Sequence, residues 1–217
     1  MFVLLLLGIV CISKLLNLIT LFLIMLVSLL SGCATTVDQK ITLSYKPVDS
    51  PLGRNRGEVV VSRTDAASLQ RNIRGEWVVG SLNNVYGVRQ ADLLSDVAVG
   101  EWVTDALLQE LKQAGYTAAY SANPPAESSR AIVINDINVF LNVNKGTFSV
   151  ETKHELKFNI DIIINGAKIK TLAIATRDNK TLPLNASREE KERIMRHSLE
   201  DAMQQVVPEL VVLFNKK

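Results

Sequence analysis

The sequence predicts an α+β domain: an antiparallel sheet, a meander, with two amphipathic helices packed on one face, preceded by a lipoprotein signal peptide. Three observations predict it. Residues from Phe148 to Ile164 alternate apolar and polar as far as Ile162 and run into Asn165-Gly166, a strong two-residue hairpin signal. Two stretches, 97–114 and 187–214, carry apolar residues at three- and four-residue spacing, which makes one stripe on a helix. Glycine, proline and asparagine clusters separate the remaining apolar runs and keep each short enough for a strand.

The first 32 of the 217 residues stand apart, because Lys14 is their only charge. Leu15 to Leu30 form the apolar run of an export signal, followed by the small residues Ser31 and Gly32 and then Cys33. In Leu30-Ser31-Gly32-Cys33 the small residues admit the peptidase to an extended backbone, and the Cys33 thiol receives the diacylglycerol. Cys11 does not fit, since Val10 precedes it. The alternative, an uncleaved anchor, needs about 20 apolar residues in a row and would bury Lys14. Residues 1–32 are therefore predicted as signal peptide, 33–39 as lipidated N-terminus and tether, and 40–217 as one domain. Ala34 follows the cysteine where an Asp would signal inner-membrane retention, so the expected location is the periplasmic face of the outer membrane.

Along the mature chain, Ile41, Leu43 and Tyr45 alternate with Thr42 and Ser44 as a first strand, which Pro47, Pro51 and Gly53 end. Glu58–Arg63 reads as a second strand through Val59-Val60-Val61. Between Asp65 and Ser95 only Trp77-Val78-Val79 reads as a strand, with Gly80, Asn83-Asn84 and Gly87 marking turns. The first helix spans about Val97 to Ala114, with Asp96 as cap and Gly115 as stop. Tyr116–Tyr120 enters a strand, and Asn123-Pro124-Pro125 opens a surface loop. Ala131–Val143 is β-rich, with Val133, Ile137, Val139, Leu141 and Val143 assigned to one face, and Asn144-Lys145-Gly146 turns the chain. The long alternating strand follows, with Phe148 and His154 on its apolar face, and Lys168–Arg177 returns as the meander's third strand. In the final helix Ser187 and Glu190 form a capping box, and Pro208 should kink it or split off a last turn.

After the leader the chain carries 23 basic and 22 acidic residues. That balance leaves no basic footprint for nucleic acid and no polybasic tract for anionic lipid. No cysteine remains to pair in the mature domain. The two histidines, His154 and His197, read as structural, because Glu155 points to the opposite side of His154's strand. Glu151 and Glu155 could do acid–base work, but Lys153 and Lys157 share their face, and alternating charge suits a solvated sheet. Arg54, Arg56, Arg63, Arg71, Arg74 and Arg89 read as solvated surface or part of a partner-binding face, and Trp77 and Trp102 as core or stacking residues. No phosphate loop, nucleophile elbow or metal spacing occurs. The sequence therefore predicts no catalytic residues, no cofactor and no metal, and one modified residue, Cys33.

These residues carry a resemblance. Val59-Val60-Val61 with Asp65 and Arg71, Leu107-Leu108-Gln109-Glu110-Leu111 leading to Gly115-Tyr116, and the strand from Ile132 to Val143 resemble the YajG family of bacterial lipoproteins. So do the turn at Lys145-Gly146 and the long strand into Asn165-Gly166-Ala167-Lys168. The resemblance runs from about Glu58 to Thr176 and implies an envelope lipoprotein. The expected function is a binding or scaffold protein held to the membrane through Cys33, with an envelope protein as partner. The alternative is an accessory subunit of an envelope machine, for lipid transport or cell-wall synthesis. A hydrolase using Glu151 or Glu155 is the third reading.

Overall fold

The computed structural model describes residues 37–47, 55–64, 71–123 and 129–215. The leader, Cys33, Arg54, Asp65 and the loop from Pro124 lie outside them. The described chain runs β1 (Gln39–Lys40), β2 (Glu58–Arg63), β3 (Trp77–Asn83), β4 (Arg89–Ser95), α1 (Val99–Gln113), β5 (Thr117–Tyr120), β6 (Arg130–Lys145), β7 (Ser149–Ile164), β8 (Ala167–Pro183) and α2 (Arg188–Asn215).

The meander is present as predicted. β6, β7 and β8 pair antiparallel along almost their whole lengths. Asn165 and Gly166 take positive φ values of 50° and 77°, as a primed turn requires. On β7 the side chains of Val150, Leu156, Phe158, Ile160 and Ile162 are buried against the helices, and the intervening ones face outward. Each large apolar side chain taken out of water on this face contributes about 1.5–3 kcal/mol.

The sheet as a whole is mixed, not antiparallel. β2 pairs parallel with Ala131–Ile134 of β6, and β3 pairs parallel with Leu141–Asn144. Because β7 occupies the other edge of β6, these two short strands lie end to end along one edge. β5 joins β2 in parallel, and β1 joins β4 in parallel, while β3 and β4 form an antiparallel hairpin. Parallel neighbours require long connections: β3, β4 and α1 all lie between β2 and its parallel neighbour β5. The β3–β4 hairpin was not predicted, because Gly80, Asn83 and the polar pair Arg89-Gln90 interrupt its alternation. Gly80 is not a turn residue. It lies inside β3, where an added Cβ would sit 2.3 Å from the Leu141 carbonyl oxygen.

A second correction concerns β6. Asp136 adopts φ 54° and is the extra residue of a bulge between Asn135 and Asn138. The inward side chains are therefore Ile132 and Ile134 before the bulge, and Ile137, Val139, Leu141 and Val143 after it. Val133, expected in the core, faces the other way. One inserted residue reverses the parity of a strand.

The helices follow their signals with three differences. α1 begins after Ala98, whose side chain makes no cap bond, so Asp96 does not cap it. The Ser95 hydroxyl accepts from Val97 N–H instead. Gly115 (φ 92°) ends α1 as expected, with Tyr116 N–H reaching Leu111 O and Gly115 N–H reaching Lys112 O. α2 remains helical through Pro208 to Asn215, so the last turn is not split off. Its capping box is formed: Ser187 N–H donates to Glu190 Oε2 (2.9 Å), and Glu190 N–H to Ser187 Oγ (3.2 Å). Ser187→Ala is expected to cost about 1 kcal/mol, read as a lower urea midpoint with unchanged slope.

At the start of the domain Ile41 and Leu43 are buried as the alternation predicts, but only Gln39 and Lys40 pair as a strand. This segment is clasped from the other side. Lys191 Nζ of α2, itself buried, donates to Gln39 Oε1 (3.2 Å) and to the carbonyls of Ala186 and Ser187. Tyr45 Oη donates to Glu110 Oε1 of α1 at 2.5 Å. Burial and this bond together raise the phenol's pKa.

Candidate functional site

The outer face of β6–β8 is polar and carries no covering element among the described residues. Glu155 sits there between Lys157 (2.9 Å) and Arg177 (2.8 Å), and those two bonds hold its carboxyl below the usual range. Glu151, on the same face, pairs in register with Asn144 and Thr181 rather than with a second carboxylate. Glu155 is thus an ionised, ion-paired group, unsuited to donating a proton at neutral pH.

The bulge gives this face its relief. Asp136 accepts from Asn159 Nδ2 (2.8 Å), and Asn135 Nδ2 donates to Asp161 Oδ2 (3.0 Å). Asp161 also receives Lys168 Nζ (2.7 Å) and the Thr171 hydroxyl (2.7 Å). Burial works to raise Asp161, yet Lys168, Thr171 and Asn135 outweigh it and the carboxyl titrates low. Beside this network, Asp136, Asn138, Lys157, Asn159, Ala173 and Ala175 line an open groove of about 330 Å³. The two alanines keep it open where larger side chains would fill it. Its lining, which also includes Phe158 and Ile174, is mainly apolar, with two side-chain amides, a cation and a carboxylate around it.

The predicted histidines part company. His197 is exposed on α2, with Nδ1 3.3 Å from Asp201. His154 is 1% exposed on the inner face, and neither ring nitrogen has a hydrogen-bond partner among the described residues. Its cross-strand neighbour is Asp178, whose Oδ2 meets Lys180 at 2.8 Å. Burial lowers the His154 pKa to about 4, against the opposing pull of Asp178 and Glu155. Among the described residues no three His, Cys, Asp or Glu gather as metal ligands would.

The arginines of the first half are more structured than a plain solvated surface. The Arg71 guanidinium stacks 3.9 Å over the Trp77 ring, and Arg89 pairs with Asp92. Arg63 lies 5.9 Å over Tyr120. Trp102 is core, at 3% exposure. Sequence reasoning missed Asp136 and Asp178 altogether, because both owe their positions to bulges that local alternation does not announce.

A mixed sheet with two helices on its inner face and a polar outer face define an α+β domain. The model of an uncharacterised lipoprotein family, of YajG type, matches residues 80–210, and the chain belongs to that family. Comparison with curated proteins gave no match. Among solved structures, a Xanthomonas campestris protein of family DUF330 is similar over 80% of this chain and 95% of its own, at 9% identity and TM-score 0.49. A minor lipoprotein from Acinetobacter baumannii covers 75% of this chain and 94% of its own, at 10% identity and TM-score 0.43. A neuraminyllactose-binding hemagglutinin homologue from Helicobacter pylori covers 77% and 92%, at 9% identity and TM-score 0.41. Among the described residues no helix is long and apolar enough to cross a membrane.

Proposed function

We propose that this chain is a lipid-anchored binding or scaffold protein of the bacterial envelope, held by Cys33 on the periplasmic face of the outer membrane. It offers the outer sheet face to an envelope protein and performs no chemistry of its own. The observation that carries the binding half is the uncovered face of three strands of 16, 16 and 17 residues, with a groove at the Asp136 bulge. Its carboxylates Glu155 and Asp161 are tied into ion pairs, which suits recognition better than proton transfer. The anchoring half rests on Leu30-Ser31-Gly32-Cys33 and on membership of a lipoprotein family.

Two measurements test it. Wild-type chain is expected to incorporate labelled palmitate, and Cys33→Ser to lose that label completely. A wild type without lipid would end the anchoring claim. A photo-crosslinker placed at Asn138 is expected to capture one reproducible envelope protein that a crosslinker at Val212, exposed on α2 on the other side of the sheet, does not. Equal capture from both positions would remove the outer face from consideration.

A further inference from the structure

Phe148 was expected to extend the apolar face of β7, yet it is 88% exposed. It is not alone. Val85, Tyr86 and Val88 are exposed on the β3–β4 turn, and Leu184 just after β8. The pairing places all of them at one end of the sheet. β3 ends at Asn83 opposite Asn144 near the end of β6, with Asn83 Nδ2 bonded to Asn144 Oδ1 at 2.8 Å. The β6–β7 turn begins after Lys145, and Ser149 at the start of β7 pairs with Pro183 at the end of β8. Hence the turn 84–88, the turn 146–148 and Leu184 project from the same edge of the molecule.

The β3–β4 turn is built to display its side chains. Asn84 Oδ1 accepts from both Tyr86 N–H and Val88 N–H (2.9 Å each), and Gly87 takes φ 76°. The N–H groups of Asn84, Tyr86, Gly87 and Val88 are all satisfied within the turn, which holds its shape while its apolar side chains stay exposed. Arg89 and Lys145, both exposed, stand immediately behind these tips.

The entry of the chain identifies what this end faces. β1 runs parallel to β4, with Gln39 opposite Leu93, and Asp92 N–H donates to Asp38 Oδ1. β4 runs away from the turn 84–88, so the residues before Gln39 lie on the turn's side. Val37, 73% exposed, is the first of them. Cys33 is four residues upstream, within a reach of about 14 Å from Val37 for a fully extended chain. Whatever surface holds Cys33 is therefore close to this end.

We infer that the end of the sheet bearing Val85, Tyr86, Val88, Phe148 and Leu184 docks into the lipid surface that anchors the chain, with these side chains in the interfacial layer. The inference rests on the anchoring proposed above. Two aromatics and branched aliphatics at the tips, with Arg89 and Lys145 one step behind, match the polarity gradient from acyl chain to headgroup. Aromatic rings with a polar handle, such as Tyr86, favour that boundary. A second protein would have to fit between this end and a membrane only a few residues away. Docking here also leaves the outer face of β6–β8 roughly perpendicular to the bilayer and open to the periplasm.

The full chain, purified from membranes and reconstituted into phosphatidylethanolamine–phosphatidylglycerol vesicles, tests this with an environment-sensitive thiol probe at Tyr86→Cys, Phe148→Cys or Ile73→Cys. Ile73 precedes β3 at the opposite end and is fully exposed. Probes at 86 and 148 are expected to shift to the blue and to be quenched by brominated lipid several times more strongly than the probe at 73. Equal access of a water-soluble quencher to all three, on chain that carries lipid and floats with vesicles, overturns the inference and leaves the anchor intact. Shielding at 86 and 148 without lipid quenching also overturns it, in favour of a protein partner. Anchoring is read separately. Wild type that takes up the thiol probe and no palmitate refutes the acylated Cys33, and the docking inference falls with it.

Discussion

Replacing Gly80 by Ala is expected to destabilise the domain by about 3 kcal/mol, the upper part of the range for overpacking a core. The new Cβ would stand 2.3 Å from the Leu141 carbonyl oxygen and 2.8 Å from Leu93 Cδ1. Leu93 could rotate away. Leu141 could not, because its backbone is held by β3 on one side and β7 on the other. Relief would require β3 to move off β6, loosening the ladder that joins the β1–β4–β3 strands to the meander. Chemical denaturation should show a midpoint well below wild type. A midpoint equal to wild type would mean that the sheet absorbs the methyl group without strain.

The second large effect is acid sensitivity through His154. In the unfolded chain a histidine titrates near 6.5. In the fold, burial lowers its pKa to about 4, with Asp178 and Glu155 pulling the other way. Above pH 6.5 the group is neutral in both states and stability does not depend on it. As pH falls from 6.5 to 4, the unfolded chain binds a proton that the native state refuses, so stability drops. The loss approaches roughly 3 kcal/mol by pH 4 and then levels off. His154→Leu is expected to flatten this part of the stability–pH curve. At pH 7 it should leave the protein as stable or more so, since it removes two buried nitrogens that lack partners among the described residues. Denaturation midpoints at pH 7.5 and 4.5 for both proteins check it. An equal fall in both would assign the acid sensitivity to other groups.

His154 also shows what local reading of the chain can and cannot reach. Its burial was legible, because it occupies an apolar position in the alternation of β7. Its neighbour was not. Counting back from the Asn165-Gly166 turn places Arg177 opposite His154. The register slips between Ile162 and Ile163, with Ile169 as the extra residue, so Asp178 takes that place and Arg177 turns outward to Glu155. A like slip at Asp136 moved Val133 out of the core and opened the groove beside Asn159. The candidate binding face was therefore visible as a polar face, while its groove was not.

Local chemistry alone determined a good deal about this protein. The Leu30-Ser31-Gly32-Cys33 pattern, both helices with the Gly115 stop and the Ser187–Glu190 box, the primed Asn165-Gly166 turn and the solvated character of one face of β7 all follow from neighbouring residues and their periods. Tertiary structure alone decided which strands lie side by side and in which direction. It placed β2 and β3 parallel along one edge of β6, located both bulges, and gathered Tyr86, Phe148 and Leu184 at the end where the chain enters. The reason is physical. Turn, cap and period preferences act over a few residues, whereas strand order and register are set by how distant apolar faces bury one another, and a single extra residue reverses every side chain beyond it.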